Sequence, residues 1–394
     1  MNKRFALAGV DARTQIARAA PLLLLAKAKP LFALESAARA GADMDAVHDM
    51  RVASRRLREA MRLLEPLYPR KRFRSWYRSV RTITRALGPV RDSDVFIDAF
   101  SQLGPELSEG GRRFTVFMIG QRMGRREYEL VLLNEGLAAL DLKASRREFK
   151  TLVHELASTG WAKRPFVEFA HAEVASRAAV VFGAQPAALD EANIDEQHAL
   201  RIDYKRLRYA VETFAPAYGK YFDSLHETLT AFQDTLGDLH DLHVFLDSVR
   251  APGVAEAAAS AGVSQADVAE VEAVLESRAR DTFARFTDLA TGFPPDALLP
   301  ALLLPLAQAA TATRVSTADR VEPTGAPEAA AVASEVLEAA DGQDATSIFP
   351  PVIDADGSVL PPVIVGEEPW VAGWDAAPDA DLDTEESSTA KPGT

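Results

Sequence analysis

Residues 48–58 read His48-Asp49-Met50-Arg51-Val52-Ala53-Ser54-Arg55-Arg56-Leu57-Arg58, and their pattern returns at residues 198–208 as His198-Ala199-Leu200-Arg201-Ile202-Asp203-Tyr204-Lys205-Arg206-Leu207-Arg208. The second copy is displaced by 150 residues. A downstream motif also repeats, because Leu87-Gly88-Pro89-Val90-Arg91-Asp92 returns as Leu236-Gly237-Asp238-Leu239-His240-Asp241, displaced by 149 residues. Two ordered motifs at nearly the same offset indicate an internally duplicated unit.

The hydrophobic pattern around these motifs is helical. Apolar residues recur at helical spacing through most of residues 11–290, and the alternation typical of strands is nearly absent. Proline and glycine clusters divide this region into predicted helices of about 15–25 residues. The predicted breaks fall at residues 66–69, 88–89, 104–111, 183–186, 251–253 and 293–305. The sequence therefore predicts an all-α fold.

Each repeated motif places its basic residues on one face of its helix. At 100° per residue, the basic side chains of the first motif fall within about 80°, and they are His48, Arg51, Arg55, Arg58 and Arg62. The opposite face is apolar, as in a helix packed on a core. The second motif repeats this face with His198, Arg201, Lys205 and Arg208. We call these two sets the first and second basic stripes.

The stripes favour a phosphate-bearing ligand. Like charges four residues apart repel by a few tenths of a kcal/mol per pair, and almost no acids relieve that repulsion here. Arginine offers a planar fork that grips two phosphate oxygens. A solvated charged face is the simpler interpretation of one such helix, but its duplication favours an anion site.

A further set of arginines occurs only in the first half. It comprises Arg74, Arg78, Arg81 and Arg85. Their counterparts in the second half are Asp223, Glu227, Thr230 and Asp234. We therefore expect the first half to bind an anion more strongly than the second.

The charge is unevenly distributed along the chain. The whole chain has a formal charge of −13, yet residues 51–91 contain 13 Lys and Arg and only 2 acids. Residues 311–394 contain 17 Asp and Glu against 3 Lys and Arg, with no sustained periodicity. We predict a helical domain over residues 1–310, with repeats at about 5–140 and 145–290. Residues 311–394 are predicted to form a disordered acidic tail.

Composition and motifs exclude several classes of function. The chain has no cysteine, which excludes disulfides and thiolate chemistry and fits a reducing cytosol. Neither a signal peptide nor an apolar run near the ~20 residues of a membrane-spanning helix is found. We therefore expect a cytoplasmic protein without a membrane partner. No phosphate-binding glycine loop, dinucleotide fingerprint or nucleophile elbow is present.

His48-Asp49 and His240-Asp241 are the doublets that metal-dependent phosphohydrolases use. The guanidinium cations around them would repel a metal ion, so hydrolysis is the least favoured alternative. The prediction is a binding protein rather than an enzyme, with no catalytic residues, metal site or cofactor.

The four repeated blocks resemble those of the CHAD family, named for conserved histidines in an α-helical domain, and the likeness spans roughly residues 5–290. The resemblance implies two four-helix bundles related by a pseudo-twofold axis, followed here by the acidic tail. It also implies a basic groove that binds inorganic polyphosphate, often on polyphosphate granules. Besides the stripes, the resemblance assigns Arg91 and His240 to the groove. Arg56 and Arg206 match the motif but point about 140° away, where each could pair with an acid on a neighbouring helix.

Polyphosphate binding is thus the predicted function, through both stripes, Arg56, Arg206, Arg91, His240 and the arginines at 74, 78, 81 and 85. Nucleic acid is a rival ligand, but the basic face lacks interleaved aromatic residues for stacking bases. A helical scaffold for an acidic protein is the other alternative. Asp92 and Asp241 are expected to orient arginines or to cap a helix. The sequence leaves the oligomeric state open.

Overall fold

The computed structural model describes residues 5–40, 44–139, 142–157 and 160–318. The first half of the chain, residues 5–157, contains α1 (Ile16–Ala33), α2 (Glu35–Ala40), α3 (Met44–Leu64), α4 (Arg70–Ser101), α5 (Glu109–Ala138) and α6 (Leu142–Leu152). The second half, residues 160–318, contains α7 (Phe166–Ala188), α8 (Ile194–Thr213), α9 (Ala215–Tyr218), α10 (Phe222–Arg250), α11 (Val254–Ser260), α12 (Gln265–Gly292) and α13 (Pro295–Ala318). Across these ranges no β-strand forms, and the all-α prediction is confirmed.

The long helices of both halves pack in the same order. In the first half α1 packs on α3, α3 on α4 and α4 on α5. In the second half α7 packs on α8, α8 on α10 and α10 on α12. The halves meet where α3 packs on α8 and α5 packs on α12. The internal duplication and the two four-helix bundles stay predictions from the sequence repeat and the resemblance.

The apolar faces of α3 and α8 lie in the core, as their periodicity predicts. Met50, Leu57 and Leu64 are buried on α3, and Leu200 and Leu207 on α8. One continuous core contains these residues and includes side chains from both halves. A second core lies between the ends of α4 and α10 and the helices α5 and α12. The two stripe helices are therefore central elements of the fold.

Two predicted helix breaks are wrong, because helices run through residues 88–89 and 183–186, and the break predicted at 293–305 is confined to residues 293–294. Gly88 and Pro89 lie inside α4. Proline removes the hydrogen bond to the carbonyl of Arg85, but Arg85 and Pro89 are both exposed, so water can satisfy that carbonyl. A Cβ on Gly88 would lie 3.1 Å from Arg51 Nη1. Gly88 thus leaves room for a guanidinium rather than making a turn.

Helix α13 differs from the sequence prediction in two respects. It continues to Ala318, so the predicted tail does not begin at residue 311. Residues 319–394, and with them the predicted disorder, lie outside the described residues. The segment Pro295–Arg314 is also long and apolar enough, by length and composition alone, to cross a membrane. Here Leu298, Leu302 and Leu306 are buried and α13 packs on α7, so one face of this helix lies against the core.

Candidate functional site

The first basic stripe is buried between α3 and α4. Arg51, Arg55 and Arg58 lie about one turn apart on α3, and all three side chains are buried. Arg51 Nη1 donates a hydrogen bond to the carbonyl oxygen of Thr84 on α4 at 3.2 Å. Its Nη2 lies 3.8 Å from Asp92 Oδ1. Helix α4 thus holds the Arg51 guanidinium in place.

Tyrosine rings from neighbouring helices lie against the other two arginines of this stripe. The guanidinium of Arg55 lies 6.0 Å from the ring centre of Tyr209 on α8. That of Arg58 lies 5.7 Å from the ring centre of Tyr77 on α4. Cation–π contacts of this kind hold a guanidinium in position over the ring. The sequence showed no aromatic partner for this stripe, because both rings come from other helices.

The second basic stripe is buried in the same way on α8. Arg201, Lys205 and Arg208 are all buried. Arg208 Nε donates to Gln233 Oε1 on α10 at 2.8 Å. The Arg208 guanidinium also lies 4.9 Å from the Tyr209 ring centre. Since Tyr209 contacts Arg55 on its α3 side as well, the two stripes approach each other at this ring.

A buried carboxylate, Glu212, fixes one end of the second stripe. It accepts a hydrogen bond from Arg208 Nη1 at 2.8 Å and lies 3.3 Å from Arg56 Nε. Its Oε1 is 3.0 Å from His226 Nε2 on α10. Burial raises the pKa of Glu212, but attraction to Arg208 and Arg56 outweighs it, and the pKa lies well below its ordinary value. Glu212 therefore links α3, α8 and α10 as an anion.

Arg91 of α4 lies within a buried cluster of charges. Burial lowers the pKa of Arg91, and repulsion from Arg51 adds to that effect, while attraction to Asp94 and Asp241 opposes it. Asp94 is fully buried and is paired with Arg126 of α5. Burial raises the pKa of Asp94, although Arg126 and Arg91 lower it. Carboxylates therefore flank Arg91.

Both motif aspartates lie close to cations of the site. Asp92 faces Arg51. Burial raises the pKa of Asp241 well above its ordinary value, and attraction to Arg201 opposes that rise. Both residues lie in the middle of long helices, α4 and α10, which excludes the alternative of helix capping.

Two predicted histidines meet across the site. His198 Nδ1 of α8 lies 3.0 Å from His240 Nδ1 of α10. Burial lowers the pKa of His240 to about 2, and repulsion from Arg201 and His198 adds to it. His240 is therefore neutral at physiological pH and accepts a hydrogen bond when His198 donates. His48 is half-buried on α3.

The remaining predicted residues are not gathered around these buried cations. Arg56 pairs with Glu212 of α8, which is the neighbouring-helix alternative. Arg206 instead pairs with Asp203 of its own helix at 3.2 Å. The other pairs are Arg62 with Glu59 at 3.7 Å and Arg74 with Glu65 at 2.7 Å. Arg78 and Arg85 are exposed and Arg81 is half-buried on α4.

The two stripes are buried, so they are not the solvated charged face that is the simpler interpretation of one such helix. Seven side chains, Arg51, Arg55, Arg58, Arg91, Arg201, Lys205 and Arg208, have at most 7% of their surface exposed. Helical periodicity identified their face, but α3 and α8 pack on each other and on α4 and α10, which covers it. Among the described residues only three acids, Asp94, Glu129 and Glu212, have as little exposed surface, and the less buried Asp92 and Asp241 also lie close to these cations. We call the seven cations and the space between their helices the cationic seam.

An excess of buried cations suits the binding of an anion. Burying a charge is unfavourable unless an opposite charge accompanies it. The seam presents guanidinium and ammonium donors from three helices in fixed orientations. Sequence reasoning missed Tyr77 and Gln233 and gave Glu212 no role, because their contacts with the stripes are tertiary. Short-range periodicity contains no signal for them.

Comparison with known proteins agrees with this architecture. Residues 23–250, more than half of the chain, match the CHAD domain family, and the chain belongs to that family. The crystal structure of the CHAD domain from the plant Ricinus communis superposes with a TM-score of 0.55 at 20% identity, covering 76% of this chain and 95% of that chain. PptA from Streptomyces chartreusis superposes at 0.54 and 15% identity, covering 70% and 99%. No curated protein matches the sequence.

Proposed function

We propose that this protein binds inorganic polyphosphate in the cationic seam. The observation that supports the proposal is the burial of seven cationic side chains beside only three equally buried acids, among the residues described. A folded protein keeps such an excess at a cost in stability, because buried like charges repel and lose hydration. A bound polyanion removes that repulsion by replacing water with phosphate oxygens. The family membership supports the same ligand class.

The chemistry of the seam matches a linear phosphate polymer. Arginine supplies most of its cations, and the guanidinium fork binds two phosphate oxygens at once. Residues Arg51, Arg55 and Arg58 follow the axis of α3, so a ligand lying along it would meet a new cation at about every 5 Å. Polyphosphate carries about one charge per monomer, as nucleic acid does, and counterion release should make its binding depend steeply on salt.

Nucleic acid and acidic proteins are the competing ligands. The rings nearest the stripes, Tyr77 and Tyr209, already lie against guanidiniums, so they are poorly available for stacking on bases. An acidic polypeptide carries its carboxylates at the ends of flexible side chains, whereas polyphosphate carries a charge on each unit of its backbone. The charge density of polyphosphate therefore favours it over both.

The experiment that tests the proposal compares these ligands on the full-length protein. Polyphosphates of increasing length are titrated at fixed salt, with single-stranded DNA and poly-glutamate as competitors at matched charge. Affinity should rise with polyphosphate length until the seam is filled, and neither competitor should displace the ligand efficiently. Equal affinity for poly-glutamate would support the scaffold alternative, and equal affinity for DNA the nucleic-acid alternative.

We further propose that the protein binds without hydrolysing its ligand and that it resides in the cytoplasm on polyphosphate granules. The cations around His48 and His240 argue against a metal ion at either doublet. Incubation with polyphosphate and Mg²⁺ or Mn²⁺ should release no orthophosphate, and steady release would contradict this. A fluorescent fusion should coincide with granules and disperse in cells that make no polyphosphate.

A further inference from the structure

The outward side of α5 is apolar although no described helix covers it. Among the described residues, ten large apolar side chains are exposed, and five of them lie on α5. These five are Val116, Met123, Tyr128, Val131 and Leu132, with exposed fractions of 46–68%. The opposite side of α5 already packs on α4 and α12. The outward apolar residues therefore contribute little to the fold, and a cluster of this size is typical of an interaction surface.

Two glycines shape this outward side. Gly120 and Gly124 share a sector about 100° wide with Val116, Met123 and Val131. A Cβ added to either glycine would meet nothing within 4 Å. Neither glycine is thus required by a described neighbour, although glycine weakens a helix interior. Their absent side chains leave a shallow depression in which another helix could approach α5 closely.

The charges along α5 are self-complementary. Apart from Glu109 in its first turn, which pairs with Arg113, the exposed acids of α5, Glu127 and Glu135, follow its exposed cations, Arg112, Arg113 and Arg125. No Lys or Arg follows Arg126 within the helix. A second α5 running antiparallel would therefore place its acidic end beside the basic end of the first. Two such contacts would form, because a twofold axis repeats each one.

The apolar residues match in the same antiparallel arrangement. If two α5 helices cross near Gly124, Val116 of one copy lies opposite Val131 and Leu132 of the other. Tyr128 then lies opposite Gly120, where the depression can receive its ring. Arg113 lies opposite Glu135 at both ends of the contact. A single crossing point thus brings apolar side chains together, places the Tyr128 ring at Gly120 and places Arg113 beside Glu135.

We propose that the outward face of α5 is the interface of a homodimer, formed by antiparallel α5 helices that cross near Gly124. A second copy of α5 that runs antiparallel always presents the same charges in reverse order, whereas an unrelated partner need not. The charge order of α5 therefore favours a second copy. The proposal does not depend on polyphosphate binding, since the face lies outside the cationic seam. A dimer would contain two seams and could hold one polyphosphate chain at two points, which raises avidity.

Sedimentation velocity of the full-length protein, without polyphosphate, tests the proposal. Between about 1 and 100 μM, a range that resolves ordinary protein dimers, the wild type should reach twice its mass of 42.6 kDa. Val116→Glu with Val131→Glu should give monomers with unchanged helical circular dichroism. Gly120→Trp should do the same by filling the depression, and it places no charge on the surface. Val180→Glu, at an exposed position of α7, is the matched control and should leave the dimer intact.

A charge exchange adds a test of the antiparallel arrangement. Glu135→Arg should weaken the dimer about tenfold, because it puts like charges together at both ends. Arg113 also pairs with Glu109 and Asp267 of its own chain, so Arg113→Glu is added only in the double variant, which should restore the dimer. A wild type that stays monomeric at 100 μM would overturn the proposal, and so would a dimer that survives both Gly120→Trp and the double Val→Glu variant.

Discussion

Glu212 forms an ion pair with Arg56 on α3 and accepts hydrogen bonds from Arg208 and His226 inside the core. It is one of the few buried acids near the seam. Its carboxylate offsets part of the charge of two guanidiniums and fixes the orientation of Arg208. At the scale of single residues, the stability of the seam therefore depends on this anion more than on any single cation.

Glu212→Gln should lower the free energy of unfolding by about 3–5 kcal/mol, since it leaves buried cations without their counter-charge. Chemical denaturation at pH 7 measures this, and Glu148→Gln at an exposed position of α6 is the control. Because the folded-state pKa of Glu212 is depressed, its contribution is complete above the unfolded-state pKa and is lost as the pH falls through the folded-state value. The difference from wild type should therefore shrink in strong acid. A loss below about 1 kcal/mol at pH 7 would contradict this role.

Removing a cation from the seam, unlike removing Glu212, should not lower stability but should weaken polyphosphate binding. Arg55→Met keeps an apolar contact with Tyr209 and relieves repulsion from the arginines one turn away. Polyphosphate affinity should fall at least about tenfold, whereas the melting temperature without ligand should stay level or rise. Differential scanning calorimetry and titration calorimetry on the same samples check both parts. A variant that loses stability but keeps affinity would show that Arg55 is structural.

The histidine pair predicts a pH dependence of binding. His240 has a pKa of about 2, so it stays neutral from pH 8 to 6, and a proton taken up by the pair resides on His198. A bound polyanion stabilises that proton, so affinity should increase as the pH falls over this range. His198→Gln should flatten the dependence, which titrations at several pH values measure. A flat wild-type profile would show that His198 adds no charge to the binding site over this range.

At the scale of elements, periodicity predicted the helices and the direction of their faces. It placed Arg51, Arg55 and Arg58 together on α3 correctly, since that relation is local. It could not show that α8 and α4 cover this face, because tertiary packing decides what lies opposite a helix. The same limit explains Gly88 and Pro89, which propensity interprets as a break. Inside α4, water can satisfy the carbonyl that Pro89 leaves without a hydrogen bond. The missing side chain of Gly88 leaves room for the Arg51 guanidinium.

Gly88→Ala tests the packing of α4 on the first stripe. The new Cβ would lie 3.1 Å from Arg51 Nη1 and should displace the guanidinium from the Thr84 carbonyl. We expect polyphosphate affinity to fall severalfold, while the gain of about 1 kcal/mol in helix propensity offsets most of the strain. Gly183→Ala on α7 is the control, because its Cβ would meet nothing within 4 Å. Unchanged affinity in Gly88→Ala would mean that the Arg51 guanidinium does not need this position to bind the ligand.

At the scale of the whole molecule, the seam joins the two halves of the chain. Arg51, Arg55, Arg58 and Arg91 come from the first half, and Arg201, Lys205 and Arg208 from the second. The net charge of −13 conceals this feature, because acids elsewhere, many of them after residue 311, outweigh the seam. A polyanion in the seam would contact both halves at once. Binding should therefore stabilise the folded chain as a unit.

The most direct test of polyphosphate binding in the seam is a salt series on two matched variants of the full-length protein. One replaces Arg51, Arg55, Arg201 and Lys205 with Gln, and the control replaces the exposed α6 cations Lys143, Arg146, Arg147 and Lys150 with Gln. The seam variant should stay helical, lose at least about 100-fold in polyphosphate affinity and show a shallower salt slope. The control should bind like the wild type. A helical seam variant that binds as tightly as the control would contradict the assignment of the site to the seam.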